Sequence, residues 1–131
     1  MSKLVSDLRE AIERFGLRDG MCISFHHHFR GGDFVLNMVM DEIADMGFKN
    51  LKINASSIYD SHAPLIRHME NGVVTALETD YIGPAVGKAV SQGVLKTPVI
   101  FRTHGSRPSA IESGPSHIDI AFLGAPASDD S

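Results

Sequence analysis

Residues 24–33 read SFHHHFRGGD, three consecutive histidines, an arginine and a glycine pair set between an apolar run and a helical pattern. A second polar set, Thr103-His104-Gly105-Ser106-Arg107, lies far along the chain, with Ser56-Ser57 and Glu78-Thr79-Asp80 between the two. A guanidinium group such as Arg30 or Arg107 recognises a carboxylate or phosphate through two parallel hydrogen bonds. Gly31, Gly32 and Gly105 lack the side chain that would keep backbone N–H groups away from a ligand. A helix beginning after Gly32 adds the partial positive charge of its N-terminus. Together with His26, His27, His28 and His104, these residues predict an anionic small molecule, carboxylated or phosphorylated, as the guest.

Each of these residues also has a plainer reading. Imidazole is a common zinc ligand, but consecutive residues of an extended chain alternate faces, so at most His26 and His28 point the same way. No Cys, Asp or Glu stands at clear metal spacing, and no metal site is expected; hydrogen bonding in a loop or cap is the other reading of the three histidines. His104 beside Gly105 is either a ligand contact or a turn residue. Ser56 and Ser57 either bind or cap a turn. Glu78 and Asp80 read equally as solvated loop charges or as a catalytic pair, and Cys22 as a small core residue. His62, His68 and His117 are expected to be peripheral. No nucleophile elbow, Walker loop or full dinucleotide fingerprint occurs.

The elements that must position these groups follow from periodicity. Leu4, Leu8, Ile12 and Phe15 form one stripe of a helix over 3–15, stopped by Gly16. Met21–Phe25 reads as a strand after an Asp19-Gly20 turn. Asp33 is placed to cap a helix that runs to about Met46 and ends at Gly47. In that helix Asn37, Asp41 and Asp45, with Glu42, make one polar stripe, and the other faces are apolar. Such a helix is either the centre of a small core or covered by a partner as well as by its own sheet.

Further strands are expected at Leu51–Ala55, Val73–Leu77, Pro98–Thr103 and Ile118–Leu123. Helices are expected at Ser61–Met69, between Pro84 and Gly93, and at Pro108–Ser113. Alternating strands and helices imply right-handed βαβ units, hence an α/β fold with a mainly parallel sheet and flanking helices. The starting ends of these strands carry turn residues and the finishing ends carry the polar groups above. In a parallel sheet the finishing ends share one edge, where open α/β proteins bind ligands.

The bulk numbers bound the reading. The 131 residues suit one domain, and 43% hydrophobic and 21% charged residues are ordinary for a globular chain. A formal charge of −4 and a pI near 5.9 give no reason to expect nucleic acid or an anionic membrane as a partner. A single cysteine excludes a disulfide within the chain, and with no signal peptide or membrane span to be drawn, a reducing cytoplasm is the expected setting. The organisation expected is a helix and lead-in over 1–19, an α/β domain over 20–126 and a frayed tail over 127–131.

The segment GMCISFHHHFRGGDFVLNMVMDEIADMGFKNL closely resembles the N-terminal part of the citrate lyase alpha subunit. SSIYDSHAPLIRHMENGVV, TPVIFRTHGSRPSAIESG and HIDIAFLGAP resemble the same family in the same order, from about Gly20 to Pro126. The resemblance implies a CoA-transferase-like α/β fold, one related to that of sugar-phosphate isomerases. It also implies citrate CoA-transferase activity, in which citrate replaces acetate on the thiol of an acyl carrier protein. A beta subunit would then cleave the citryl thioester to oxaloacetate, so a beta subunit and the acyl carrier protein (gamma subunit) are the implied partners in an oligomeric complex. No tightly bound cofactor is implied; coenzyme A, or the CoA-like prosthetic group of the carrier, serves as co-substrate.

By the same resemblance, His26, His27, His28, Arg30, Gly31 and Gly32 fall on the family's signature loop, and Ser56, Ser57, His104, Gly105 and Arg107 on later motifs that bind substrate or acyl thioester. Arg30 and Arg107 are the expected contacts to substrate carboxylates, and the Gly31-Gly32 backbone to the oxyanion or thioester carbonyl. Family members are several times longer and have a second, similar α/β half. A carboxylate nucleophile, if the chemistry uses one, is expected beyond Pro126, and none is assigned here. The alternative is a non-catalytic module, a truncated relative that binds an anionic metabolite or docks to a partner subunit.

Overall fold

A computed structural model describes residues 3–26 and 32–125 of the protein. Its helices are α1 (Leu8–Phe15), α2 (Val35–Asp45), α3 (Leu65–Glu70), α4 (Pro84–Ser91) and α5 (Arg107–Glu112). Its strands are β1 (Cys22–His26), β2 (Leu51–Ala55), β3 (Val74–Thr79), β4 (Ile100–Phe101) and β5 (Ile120–Leu123). Short 3-10 turns cover Asp60–His62 and His104–Ser106.

Local chemistry sets several of these limits. The first helix starts at Leu8 and not at residue 3, because the Asp7 carboxylate accepts the Glu10 N–H at 2.8 Å and so fixes the N-terminus there. Gly16, at φ 67°, closes it in the left-handed conformation. At α2 Phe34 occupies the cap position, and Asp33 serves the end from one residue earlier by accepting the Val35 N–H at 3.0 Å. The helix expected over 61–69 is interrupted, with the turn at Asp60–His62 giving way to α3 only after Pro64. β3 runs two residues past its expected end, which places Glu78 and Thr79 inside the strand, and β4 shrinks to two residues.

All pairings of the sheet are parallel, in the order β4-β3-β2-β1-β5. From β1 to β4 each crossover moves one place along the sheet, and right-handed connections put α2, α3 and α4 on one face. From β4 the chain returns past β1 to reach β5, so a right-handed crossover puts α5 on the opposite face. Ile23 and Phe25 of β1, Ile53 of β2 and Leu77 of β3 meet Leu36, Val39, Met40 and Ile43 of α2 in the core on the first face. Phe122 stacks on Phe25 at 5.8 Å, with Phe15 edge-on to it at 6.2 Å.

The polar stripe of α2 is spent on its neighbours. Asp41 accepts from Arg67 and His68, Asp45 from Arg9, and Asn37 donates to the Ser61 carbonyl. The helix is thus tied to its own neighbours and buries Leu36, Val39, Met40 and Ile43, while Met38 and Phe34 at its cap are exposed. His62 and His68, expected at the periphery, are buried. His62 takes the Tyr59 N–H on Nδ1 at 3.0 Å and donates from Nε2 to the Asp33 carbonyl at 2.8 Å. Its imidazole thus joins the turn after β2 to the backbone that leads into α2. His117 is exposed, as expected. No helix among the described residues is long and apolar enough to cross a membrane.

One close approach depends on glycine. Asp60 reaches α4 and accepts the Ala85 N–H at 3.0 Å, and it passes so near Gly83 that a Cβ there would lie 2.7 Å from its Oδ1 and 2.9 Å from its backbone nitrogen. Gly83→Ala is expected to destabilise the fold by about 1–3 kcal/mol, the usual range for overpacking. Chemical denaturation reads the change, and an unaltered midpoint would contradict this account of the contact.

Candidate functional site

Strand register builds the site before any side chain is considered. Ser24 pairs with Asn54 and Asn54 with Glu78, so three polar residues lie in one row across β1, β2 and β3. Ser24, Asn54 and Glu78 are 5%, 1% and 2% exposed, so the row is buried. It lies on the face opposite the apolar core, the face that α5 crosses. The alternation Leu51-Lys52-Ile53-Asn54-Ala55 is the sequence signature of this division.

A carboxylate buried this deeply must be paired. Glu78 accepts from Lys52 Nζ at 2.7 Å, from Arg102 Nε at 2.5 Å and from the Ser116 hydroxyl. Burial by itself pushes the Glu78 carboxyl up, but the hydrogen bonds from Lys52, Ser116 and Arg102 outweigh it and hold it below the ordinary glutamate range. Neither a solvated charge nor a catalytic acid describes this residue; it is the centre of an ion-pair network.

Arg107, the first residue of α5, extends over the same row. Its Nη2 donates to Ser24 Oγ at 2.8 Å and to the Asn54 carbonyl at 3.3 Å. Burial lowers its pKa, opposed by the nearby charges of Glu78 and Asp80. A cavity of about 10 Å³, room for one water molecule or one ligand oxygen, is lined by Asn54, Glu78, Asp80, Arg102 and Arg107 among others. Two buried donors lack an acceptor among the described residues, Asn54 Nδ2 and Arg107 Nε, and both residues line that cavity. The cavity lies at the finishing ends of β2 and β3, on the edge of the parallel sheet where the polar residues collect. Open α/β sheets bind ligands at such a point.

The outer rim is formed by the next residues along the strand ends. Asp80 accepts from Ser57 Oγ at 2.9 Å and from His104 Nδ1 at 2.6 Å. The rings of His104 and His26 lie 6.4 Å apart. Thus β1, β2, β3 and the turn after β4 bring His26, Ser57, Asp80, His104 and Arg107 to one edge. Ser56 is buried just below it. Gly32 and Gly105 have open space where a Cβ would stand, so the packing of the described residues does not require glycine at either. His27, His28, Arg30 and Gly31 lie outside the described residues.

Lys52, Asn54, Arg102 and Ser116 were not among the residues singled out from sequence. The alternation in β2 could have revealed the first two; the other two stand out only once β4 and α5 are folded over Glu78. Cys22 is buried, with its thiol pushed up to about 11 by burial, the Lys52 charge opposing, so it is protonated at neutral pH. A larger cavity of about 570 Å³ opens at the other end of the sheet, between Asn71 and Thr97, and the polar row does not reach it. Among the described residues no three His, Cys, Asp or Glu side chains are grouped to hold a metal ion.

The Glu78 network has a pH signature. Its folded pKa lies below the unfolded value of about 4.3, so the stability it contributes is present above that value and is lost as pH falls through the folded pKa. Glu78→Gln leaves Lys52 and Arg102 without their carboxylate and is expected to cost about 3–5 kcal/mol at pH 7. The deficit relative to wild type should shrink below about pH 4. Denaturant titrations at pH 7 and pH 3.5 check this; an equal deficit at both would show that the charge of Glu78 is not what matters.

Comparison with known proteins agrees with this architecture. The family model described as "Citrate lyase, alpha subunit (CitF)" matches residues 1–131. The citrate lyase alpha chain of Haemophilus influenzae is 51% identical over 127 residues, covering 97% of this chain and 25% of that one. That of Escherichia coli is 51% identical over 128 residues, with 98% and 25% covered. A crystal structure of the putative alpha subunit of citrate lyase from Streptococcus mutans, in complex with citrate, superposes with a TM-score of 0.97 at 55% identity, over 99% of this chain and 26% of that one. The chain therefore spans about a quarter of the length of these relatives. The α/β class and the parallel sheet expected from sequence are those observed, and the chain belongs to the citrate lyase alpha subunit family.

Proposed function

We propose that the chain forms part of the substrate-binding layer of a citrate CoA-transferase of the citrate lyase complex, where acetyl is exchanged for citryl on a carrier thioester. The observation that carries this reading is the pair of buried donors without an acceptor among the described residues, Asn54 Nδ2 and Arg107 Nε, beside a small cavity at the finishing ends of β2 and β3. Buried donors without acceptors are uncommon in folded proteins and call for an oxygen from outside the chain. A carboxylate of a polyanion such as citrate supplies one, and the Streptococcus mutans relative was crystallised with citrate.

The exchange has three requirements: the polyanion must be held, its charge neutralised, and the oxyanion of the attacked thioester stabilised. Arg107 serves the first two from its station over Ser24. Arg30 is proposed as a second carboxylate contact and the Gly31-Gly32 backbone as the oxyanion donor, with His26 at the end of β1, and with His27 and His28, as further proposed contacts. Ser56, Ser57, His104 and Gly105 complete the wall. Coenzyme A or the carrier's CoA-like group is the co-substrate, and the beta subunit and acyl carrier protein are the proposed partners in the cytoplasm. A carboxylate nucleophile, if the reaction uses one, is supplied by the part of the subunit that corresponds to the rest of its relatives.

Acetyl-to-citryl exchange on a carrier thioester, measured with this chain alone and with the remainder of a relative's alpha subunit supplied, tests the proposal. Exchange is expected in the completed subunit; none in either setting, with citrate bound all the same, would favour a non-catalytic anion-binding module. Arg107→Lys keeps the charge but removes the fork, and is expected to raise the KM for citrate about ten-fold or more, the range of one charge-assisted hydrogen bond. An unchanged KM would remove Arg107 from the site.

A further inference from the structure

Asp80 and His104 form an arrangement that goes beyond the binding role above. Asp80 is nearly buried at the end of β3, with its side chain 13% exposed, and its two carboxylate oxygens are held separately. Oδ1 accepts from Ser57 at 2.9 Å, and Oδ2 faces His104 Nδ1 at 2.6 Å. A carboxylate only accepts, so Nδ1 must carry a proton, which leaves Nε2 of the neutral ring as a base and of the charged ring as an acid. No hydrogen bond to Nε2 occurs among the described residues, and the His104 side chain is 69% exposed on the ligand edge. Serine holds the aspartate, the aspartate fixes the imidazole tautomer, and the imidazole presents its free nitrogen where substrate arrives. This is the arrangement by which carboxylates orient histidines for proton transfer. A purely structural ion pair would not need the aspartate to be anchored from below or the imidazole to be left open.

We infer that His104, oriented by Asp80, is the general acid and base for the carrier thiol in this reaction. The inference rests on the transferase reading above. In the forward half, a citrate carboxylate oxygen bonds to the acetyl carbonyl carbon, the carbon–sulfur bond breaks, and the departing sulfur takes the proton from Nε2 of the His104 imidazolium. The products are a mixed acetyl–citryl anhydride and the free thiol. In the return half, the thiol gives its proton back to Nε2 as sulfur bonds to the citryl carbonyl carbon and acetate leaves with the electron pair of the broken carbon–oxygen bond. The proton is returned to the ring that lent it, and no further reactant is needed. His104 is thus a catalytic residue touching the reacting sulfur, and Asp80 and Ser57 are positioning residues.

Two measurements test this. In the 131-residue chain, nitrogen-15 spectra of the imidazoles are expected to show neutral His104 protonated at Nδ1, with the preference weakened in Asp80→Asn. Neutral His104 protonated at Nε2 instead would overturn the arrangement without reference to turnover. In the completed subunit, an alkyl thioester needs its poor leaving group protonated, whereas an aryl thioester does not. His104→Gln is therefore expected to lower kcat on the alkyl thioester about 10²-fold or more, the range of general acid catalysis, and to lower it far less on the aryl thioester. Equal losses on both would show that His104 is only structural. If wild-type protein exchanges neither thioester, the transferase reading itself fails and the acid–base role falls with it; if wild type exchanges both and the losses are equal, only the inference fails.

Discussion

Glu78 is a carboxylate in the interior of a central strand, 2% exposed, and such a charge survives folding only if every oxygen is answered. Its partners come from three different places: Lys52 from the neighbouring strand β2, Arg102 from just beyond β4, and Ser116 from the segment after α5. β4 is only two residues long, and its ladder with β3 holds it by few backbone bonds. The ion pair between Arg102 and Glu78 therefore helps fasten that edge of the sheet. Ser116 fastens the far end of the return crossover to the same carboxylate, so α5 is held over the polar face at both ends, by Arg107 on Ser24 and by Ser116 on Glu78.

The two faces of the sheet consequently do different work. One is a packed apolar layer in which α2 to α4 cover Ile23, Phe25, Ile53 and Leu77, and its stability comes from burial. The other carries the row Ser24–Asn54–Glu78, whose members sit in adjacent strands and so cannot drift apart without breaking the sheet. Polar groups on strands are placed more rigidly than groups on loops. Arg107 inherits that rigidity by bonding to the row, and Asp80 and His104 inherit it through the strand ends they extend. The Streptococcus mutans relative was crystallised with citrate, and a stiff polar row under an arginine suits the binding proposed above.

Much of the fold could be read from residue order. The apolar runs at 21–25, 51–55 and 118–123 alternate with helical patterns, and that alternation alone implies a parallel α/β sheet with its polar groups at the finishing ends. Errors fell where local pattern and tertiary packing disagree. Val73–Leu77 looked like a complete strand because Glu78 and Thr79 are polar, yet the strand continues through them, since a paired carboxylate can be buried. His62 and His68 look peripheral by composition, but both are buried: His62 is held by the Tyr59 amide and the Asp33 carbonyl, and His68 by the Asp41 carboxylate on Nε2. Nothing local distinguishes such a histidine from an exposed one.

The sequence by itself determined the class of fold and the edge at which the polar residues collect, because periodicity and glycine placement are local properties. It determined the family too, through motifs spread over nearly the whole chain. Only the tertiary structure decided that Glu78 belongs to the scaffold and Asp80 to the rim, two residues apart in one strand end. Only it joined Arg107 to Ser24 across 83 positions of sequence. The reason is that strand register and the reversal of the crossover are set by the packing of the entire sheet, and no stretch of sequence contains that information alone.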